Sequence, residues 1–389
     1  MNVLPFLLLV AATAGWVLLP LVPAIRELVR PTDAEPLDAV GHDAGDLTIF
    51  ADGFRDYLAR QLPPSAWLPP SVLRPPGEGE EGRAPEGVGA AGAGGVPGGA
   101  GALVGSLGDG TPFVQLTGDA TALRDVEAAD GTIPRVVIAS GALATPGGET
   151  FLLELLARDT FRGGAGAVYR AVLGERDVSL GDRSEVLRWA HAAGDLRVGR
   201  GSALHGRASA VGRLLMGPGV TFRRVRASRV VAWDGGGDDV LSDPPTIPAI
   251  VTGTVKLPPG ARRERGYTRI AGDLAIPPGG ALVGSLVVMG DLTVGDGGRI
   301  GGSVKVHGDC TLGDDVLVDG AIVSRGSIVV GAQCHVRGSL VAEREVTVGG
   351  GSWIGGPRTP ASVSAENVVL MALAQVFGAV TARSGGGVA

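Results

Sequence analysis

Cut every eighteen residues, positions 291–344 read DLTVGDGGRIGGSVKVHG, DCTLGDDVLVDGAIVSRG and SIVVGAQCHVRGSLVAER, and the three lines superpose without a gap. Extended one unit each way, segments starting at Asp273, Asp291, Asp309, Ser327 and Glu345 carry Gly284, Gly302, Gly320, Gly338 and Gly356 at the twelfth place. Leu282, Ile300, Val318, Val336 and Ile354 fill the tenth. A fixed period of this size is the mark of a solenoid. Apolar residues stand two apart within a unit, as in Leu292/Val294 and Val304/Val306. That alternation predicts short strands with one buried face. Three such stretches per unit predict a triangular β-helix with aliphatic side chains stacked inside. Glycines at Gly295, Gly313, Gly331 and Gly349 suit corner turns. With 66 glycines in 389 residues a chance pattern has to be weighed, and agreement of five consecutive units at two columns discounts it. After Glu345 the phase slips by four residues across Pro357 and Pro360. It resumes at Asn367, with Val368, Leu370, Val376, Gly378 and Val380 in the expected columns, for six coils in all.

The register recurs upstream. Units from Asp159, Asp177, Asp195 and Arg213 carry Gly163, Gly181, Gly199 and Gly217 at the fifth place, and Val168, Val186, Leu204 and Phe222 at the tenth. Leu143-Ala144-Thr145-Pro146-Gly147-Gly148 is similar to Leu274-Ala275-Ile276-Pro277-Pro278-Gly279-Gly280. The expected fold class is all-β. It has two triangular β-helix blocks, at 135–233 and 269–384, with a linker at 234–268 and a tail at 385–389.

Ahead of the blocks, Val3 to Ile25 is a run of twenty-three uncharged residues, long enough to cross a bilayer as a helix. Arg26 and Arg30 follow it, which points the carboxyl-terminal side to the cytoplasm. A transmembrane helix over 1–25 in a bacterial inner membrane, single-pass, is therefore expected. Cleavage near Val22-Pro23-Ala24 would instead give an exported surface β-helix. The juxtamembrane segment, 26–62, contains an amphipathic stretch from Leu47 to Leu62. There Phe50, Phe54, Tyr57, Leu58 and Leu62 share one helical face, expected to pack on the solenoid. Residues 63–100, rich in Gly, Pro, Ala and Glu, are expected to form a tether. Residues 101–134 are expected to form a cap or irregular β segment.

Only 4% of residues are aromatic, which suits a narrow aliphatic interior. The two cysteines, Cys310 and Cys334, make no disulfide framework, and Cys310 takes a core column otherwise held by Leu or Ile. Block 135–233 holds fifteen Arg and no Lys against eight acids, whereas 269–384 holds eight basic and ten acidic residues. Arg170, Arg188 and Arg224 fall in one column and form the candidate site for an anionic partner: lipid head groups, nucleic acid, cell-wall polymer or the acidic tether. Without interleaved aromatics to stack on bases, nucleic acid fits least.

Signs of catalysis are missing. His191, His205, His307 and His335 fall at different places in their coils, so no metal site is expected from them. Asp296, Asp314 and Asp315 sit by corner glycines and read as turn residues. Gly295-Asp296-Gly297-Gly298 is not followed by a helix, which argues against a phosphate loop. No cofactor is expected.

With coils such as Gly290-Asp291-Leu292-Thr293-Val294-Gly295 followed by Ile300-Gly301-Gly302-Ser303-Val304, the chain resembles the bactofilins, a polymer-forming bacterial cytoskeletal family. The resemblance covers 269–384 well, 135–233 less well, and 1–134 not at all. It implies a right-handed triangular β-helix of about six turns that assembles end to end without nucleotide, tied to the inner membrane. The expected function is a membrane-anchored, self-associating scaffold that is not an enzyme. Its partners are other copies of itself, or its own second block. End coils near Leu274, Ile276, Val376 and Val380 are the expected contact points. The alternative is an acyltransferase built on a hexapeptide-repeat left-handed β-helix, which needs a histidine base in a cleft.

Overall fold

The computed structural model describes residues 48–62, 96–97, 102–116, 120–234, 255–264 and 266–389. The expected membrane helix at 1–25 lies outside them, as does the tether at 63–100 apart from Val96–Pro97. Among the described residues no helix is long and apolar enough to cross a membrane. Among the described residues the fold is all-β apart from one helix and a 3-10 turn, and forms a solenoid of about thirteen turns with eighteen-residue coils.

Each coil of the second block supplies three short strands, and each strand lies parallel to its counterpart in the next coil. Leu274–Ile276, Leu292–Val294, Cys310–Leu312 and Ile328–Val330 make one face. Ala281–Leu282, Arg299–Ile300, Leu317–Val318, His335–Val336 and Trp353–Ile354 make another. The third starts at Tyr267–Ile270 and Ser285–Val288. Partners stay eighteen residues apart until the slip, after which Glu345 lies opposite Asn367 and Trp353 opposite Gln375. Alternate side chains turn inward, so Leu292, Cys310, Ile328 and Val346 stack as one buried column. Burial pushes the Cys310 thiol up to about 12 and the Cys334 thiol up to about 11. Both cysteines behave as small apolar residues.

The aspartate that opens each unit ties one coil to the next. Asp273 Oδ1 accepts the Asp291 N–H at 2.9 Å, Asp291 Oδ1 the Asp309 N–H at 2.8 Å, and Asp309 Oδ1 the Ser327 N–H at 2.7 Å. At another corner Asp296 accepts from Asp314 N at 3.0 Å and Asp314 from Ala332 N at 2.7 Å. The residue before the opening aspartate is glycine because the carboxylate of the previous coil presses on it. A Cβ on Gly308 would lie 2.0 Å from Asp291 Oδ1. The Gly-Asp pair is thus one device, with close approach and hydrogen bond combined.

The first block follows the same plan with a different register from the expected one. One coil is a residue short: Phe161 pairs with Val178, and Tyr169, not Val168, stands in the column with Val186, Leu204 and Phe222. The cause is local. The Tyr169 hydroxyl occupies the place where a side chain on Gly163 would be, 2.0 Å from an added Cβ. Its ring stacks on Phe151 at 5.2 Å and meets Phe161 edge-on at 5.7 Å. Gly164 then takes the place expected of Gly163, packing under Gly181.

The helix α1 (Ile49–Gln61) packs on the outside of this block, as its apolar face predicted. Ala51, Phe54, Leu58 and Leu62 cover Val136, Ile138, Leu156, Leu173 and Trp189.

Replacing Asp309 by Ala should lower stability by about 1 kcal/mol through loss of the Ser327 contact, whereas Asn, which keeps an acceptor oxygen, should lose less; urea unfolding checks this. The Ser327 N–H, and after it Arg344, hold the Asp309 carboxyl below its ordinary value. Its stabilising contribution is therefore present above the usual carboxylate range and lost as pH falls through the depressed value. The Ala variant should accordingly be less acid-sensitive between those limits than the parent.

Candidate assembly and docking surfaces

The two blocks meet tail to tail. The last coil of the first block, Thr221–Ala232, pairs antiparallel with the last strand of the second, Gln375–Val388. Val225 lies opposite Val380, Val230 opposite Val376 and Phe222 opposite Gly386. The ladder is extended by Leu373 N to Ala232 O at 2.7 Å and Gly219 N to Val388 O at 2.9 Å. Antiparallel pairing follows from the geometry: two coils presenting the same end to each other run in opposite directions. Val376 and Val380, among the expected contact points, are fully buried in this joint. Gly385–Val388, expected in a tail, instead form the final rung between Asn367–Leu370 and Thr221–Phe222. Glycine is required there, since a Cβ on Gly386 would lie 2.3 Å from the Phe222 ring. Outside the ladder Arg229 lies over Phe377 at 4.8 Å and over Trp353 at 5.3 Å, fastening one block to the other.

Each outer end carries a partial cap. At the first block, the antiparallel hairpin of Ala102–Ser106 and Pro112–Leu116 lies against Val136–Ala139. The 3-10 turn Ala120–Leu123 places Leu123 in the core. Between turn and first coil is a cleft of about 590 Å³ that includes Leu123, Ile133, Thr145 and Glu149. Its carboxylate is engaged within the corner: Glu149 accepts the Gly147 N–H at 3.0 Å. At the second block, Val255, Leu257 and Ala261 pack against the core, and Arg262–Arg263 pair antiparallel with Tyr267–Ile270. Leu274 and Ile276 are buried beneath this end. Their strand pairs on one side only among the described strands. Leu274 N–H and Ile276 C=O bond to the next coil, so the N–H and C=O of Ala275 point to the open edge.

The three candidate arginines do not form one ladder. Arg170 and Arg188 meet at a bulge between Val186 and Trp189, while Arg224 lies opposite Arg207, one column over. The bulges that carry the chain round this corner insert an extra residue and shift the columns, which an eighteen-residue count does not register. Arg170 bonds Glu154 at 3.1 Å; Arg188 and Arg224 are exposed.

The histidines lie apart. His191 Nδ1 is 2.8 Å from Ser209 Oγ on the outer side of the first block, His205 is 3.2 Å from Glu185, and His335 contacts Gly355 O at 3.3 Å. Burial holds His335 below its ordinary value. Among the described residues no three His, Cys, Asp or Glu gather into a metal-binding group.

Sequence reasoning left the joint as one of two outcomes, contact between copies being the other. Its one signal is Gly385-Gly386-Gly387 continuing the alternation of Val376 to Val380, where bulky residues would bar a facing strand. Comparison with protein-family models, with curated proteins and with solved structures gave no match.

Truncating Phe222 to Ala should cost roughly 3 kcal/mol or more, because its ring fills the space left by Gly386. Gly386→Leu should be at least as damaging through the clash. Hydrogen exchange at Val225 and Val380 should accelerate in both variants while Leu292 and Val294 stay protected.

Proposed function

We propose that this chain is a tethered structural scaffold of bactofilin-like kind, working without nucleotide or catalysis, whose units associate by end-to-end β-pairing. The joint between Thr221–Ala232 and Gln375–Val388 carries the reading, since it is such a pairing made within one chain. A rod of about thirteen coils is about 60 Å long at ~4.8 Å per coil. Its narrow, fully hydrogen-bonded body suits holding two points apart.

The apolar run from Val3 to Ile25 supplies the tie to the inner membrane, with the solenoid on the cytoplasmic side. The edge at Ala275 supplies the contact with a second copy. Open strand edges recruit further strands unless they are blocked, and anchoring in two dimensions multiplies a weak contact.

Full-length protein in detergent, imaged by electron microscopy and sized by sedimentation, should show single rods at low concentration and rods of doubled length at high concentration. Ala275→Pro, which removes the outward N–H, should abolish doubling and leave the circular-dichroism spectrum intact. Single rods that persist at every concentration would defeat the self-association reading.

A further inference from the structure

We propose that the arginine ridge of the first block, formed by Arg188, Arg207, Arg223 and Arg224, is a docking surface for an anionic lipid bilayer. The proposal rests on the reading that Val3 to Ile25 enters the same membrane.

Register places these groups together. Arg207 lies directly opposite Arg224 in the next coil, and opposite Trp189 in the previous one. Arg188 precedes Trp189, with its backbone against Gly206, and Arg223 precedes Arg224. The four guanidiniums therefore span three neighbouring coils, within about 10 Å along the axis. The acids beside them are Glu154, engaged by Arg170 at 3.1 Å, and Glu185, 3.2 Å from His205. Asp52 on α1 is held by Arg55 at 2.7 Å. With Arg170 counted, five guanidiniums face the two carboxylates Glu154 and Glu185, so the ridge carries net positive charge.

Exposed aliphatic groups accompany the charge. Leu152 and Leu187 are 44% and 47% exposed and lie on the corner that carries Arg170 and Arg188. Ile49 is 59% exposed at the start of α1, and next to it Phe50 lies 4.9 Å below the Arg207 guanidinium. Cations beside apolar side chains that water does not favour are the composition of a membrane-surface site. A nucleic acid would use the arginines but gain nothing from the leucines.

The chain enters the described fold on this side. The α1 helix runs along the block, with Tyr57 bonded to Asp109 at the capped end, Phe54 against Trp189, and Phe50 at Arg207. Its amino-terminal end therefore points toward the joint and lies beside the ridge. The forty-seven residues that precede Thr48, the apolar run among them, depart from this point. A rod held here lies along the membrane, with its middle at the lipid surface.

The test uses full-length Leu187→Cys protein labelled with an environment-sensitive dye; Cys310 and Cys334 are buried and do not compete for the label. It is reconstituted in phosphatidylcholine vesicles with or without phosphatidylglycerol. The expected result is a blue shift only with phosphatidylglycerol, reversed by high salt and lost in Arg188→Glu/Arg224→Glu, while a label at Val283→Cys shows none. Protein that floats with both vesicle types but gives the same spectrum in each, or a shift that survives the double substitution, overturns the ridge and leaves the anchor standing. Failure to float with either type overturns both.

Discussion

The rest of the molecule depends on the antiparallel pairing of two last coils. A β-solenoid buries its flanks by construction but leaves an unsatisfied ladder and an open apolar column at each end. Two blocks of six to seven coils would present four such ends. By turning the second block back against the first, the chain spends two of them on each other. Val225, Val230, Val376 and Val380 become interior residues, each gaining about 1.5–3 kcal/mol of apolar burial. The hairpin of Ala102–Ser106 and Pro112–Leu116 narrows a third end, and the segment from Val255 to Ala261 shields the fourth. What remains for partners among the described residues is the short edge at Ala275 and the flanks.

Along the rod the coils are held at the right spacing by their corners. At the corners the carboxylates of Asp177, Asp195, Asp273, Asp291 and Asp309 add a bond between successive coils beyond those of the strands. The glycine at the matching corner of the next coil, Gly194, Gly212, Gly290, Gly308 and Gly326 in turn, lets each carboxylate in. Arg213 shows how the corner adapts where the next coil lacks an aspartate. Burial works against the charge of Asp195, yet two guanidinium contacts with the backbone N–H of Arg213 keep its carboxyl below the ordinary value.

The period, the strand alternation, the core columns of the second block and the four-residue slip were legible because they depend on near neighbours repeated many times. The packing of α1 was legible too, from one apolar face with few basic residues. The short coil at Tyr169 was not, because the one residue missing between Tyr169 and Ala171 falls at a corner and leaves the hydrophobic count intact. The arginine column failed for a related reason, since bulges at a corner displace Arg224 by one place. The joint lay furthest from the sequence. Val376 and Val380 look the same whether they face a second molecule, a cap or another block, and only Gly386 facing Phe222 distinguishes the cases.

The most direct test of the tail-to-tail arrangement is a disulfide between positions 224 and 381, which face each other across the joint. The variant Arg224→Cys/Thr381→Cys, oxidised under native conditions, should cross-link within single chains at a rate independent of protein concentration. Cys310 and Cys334 should remain as thiols. No cross-link, or one found only between chains, would contradict the joint and the rod built on it.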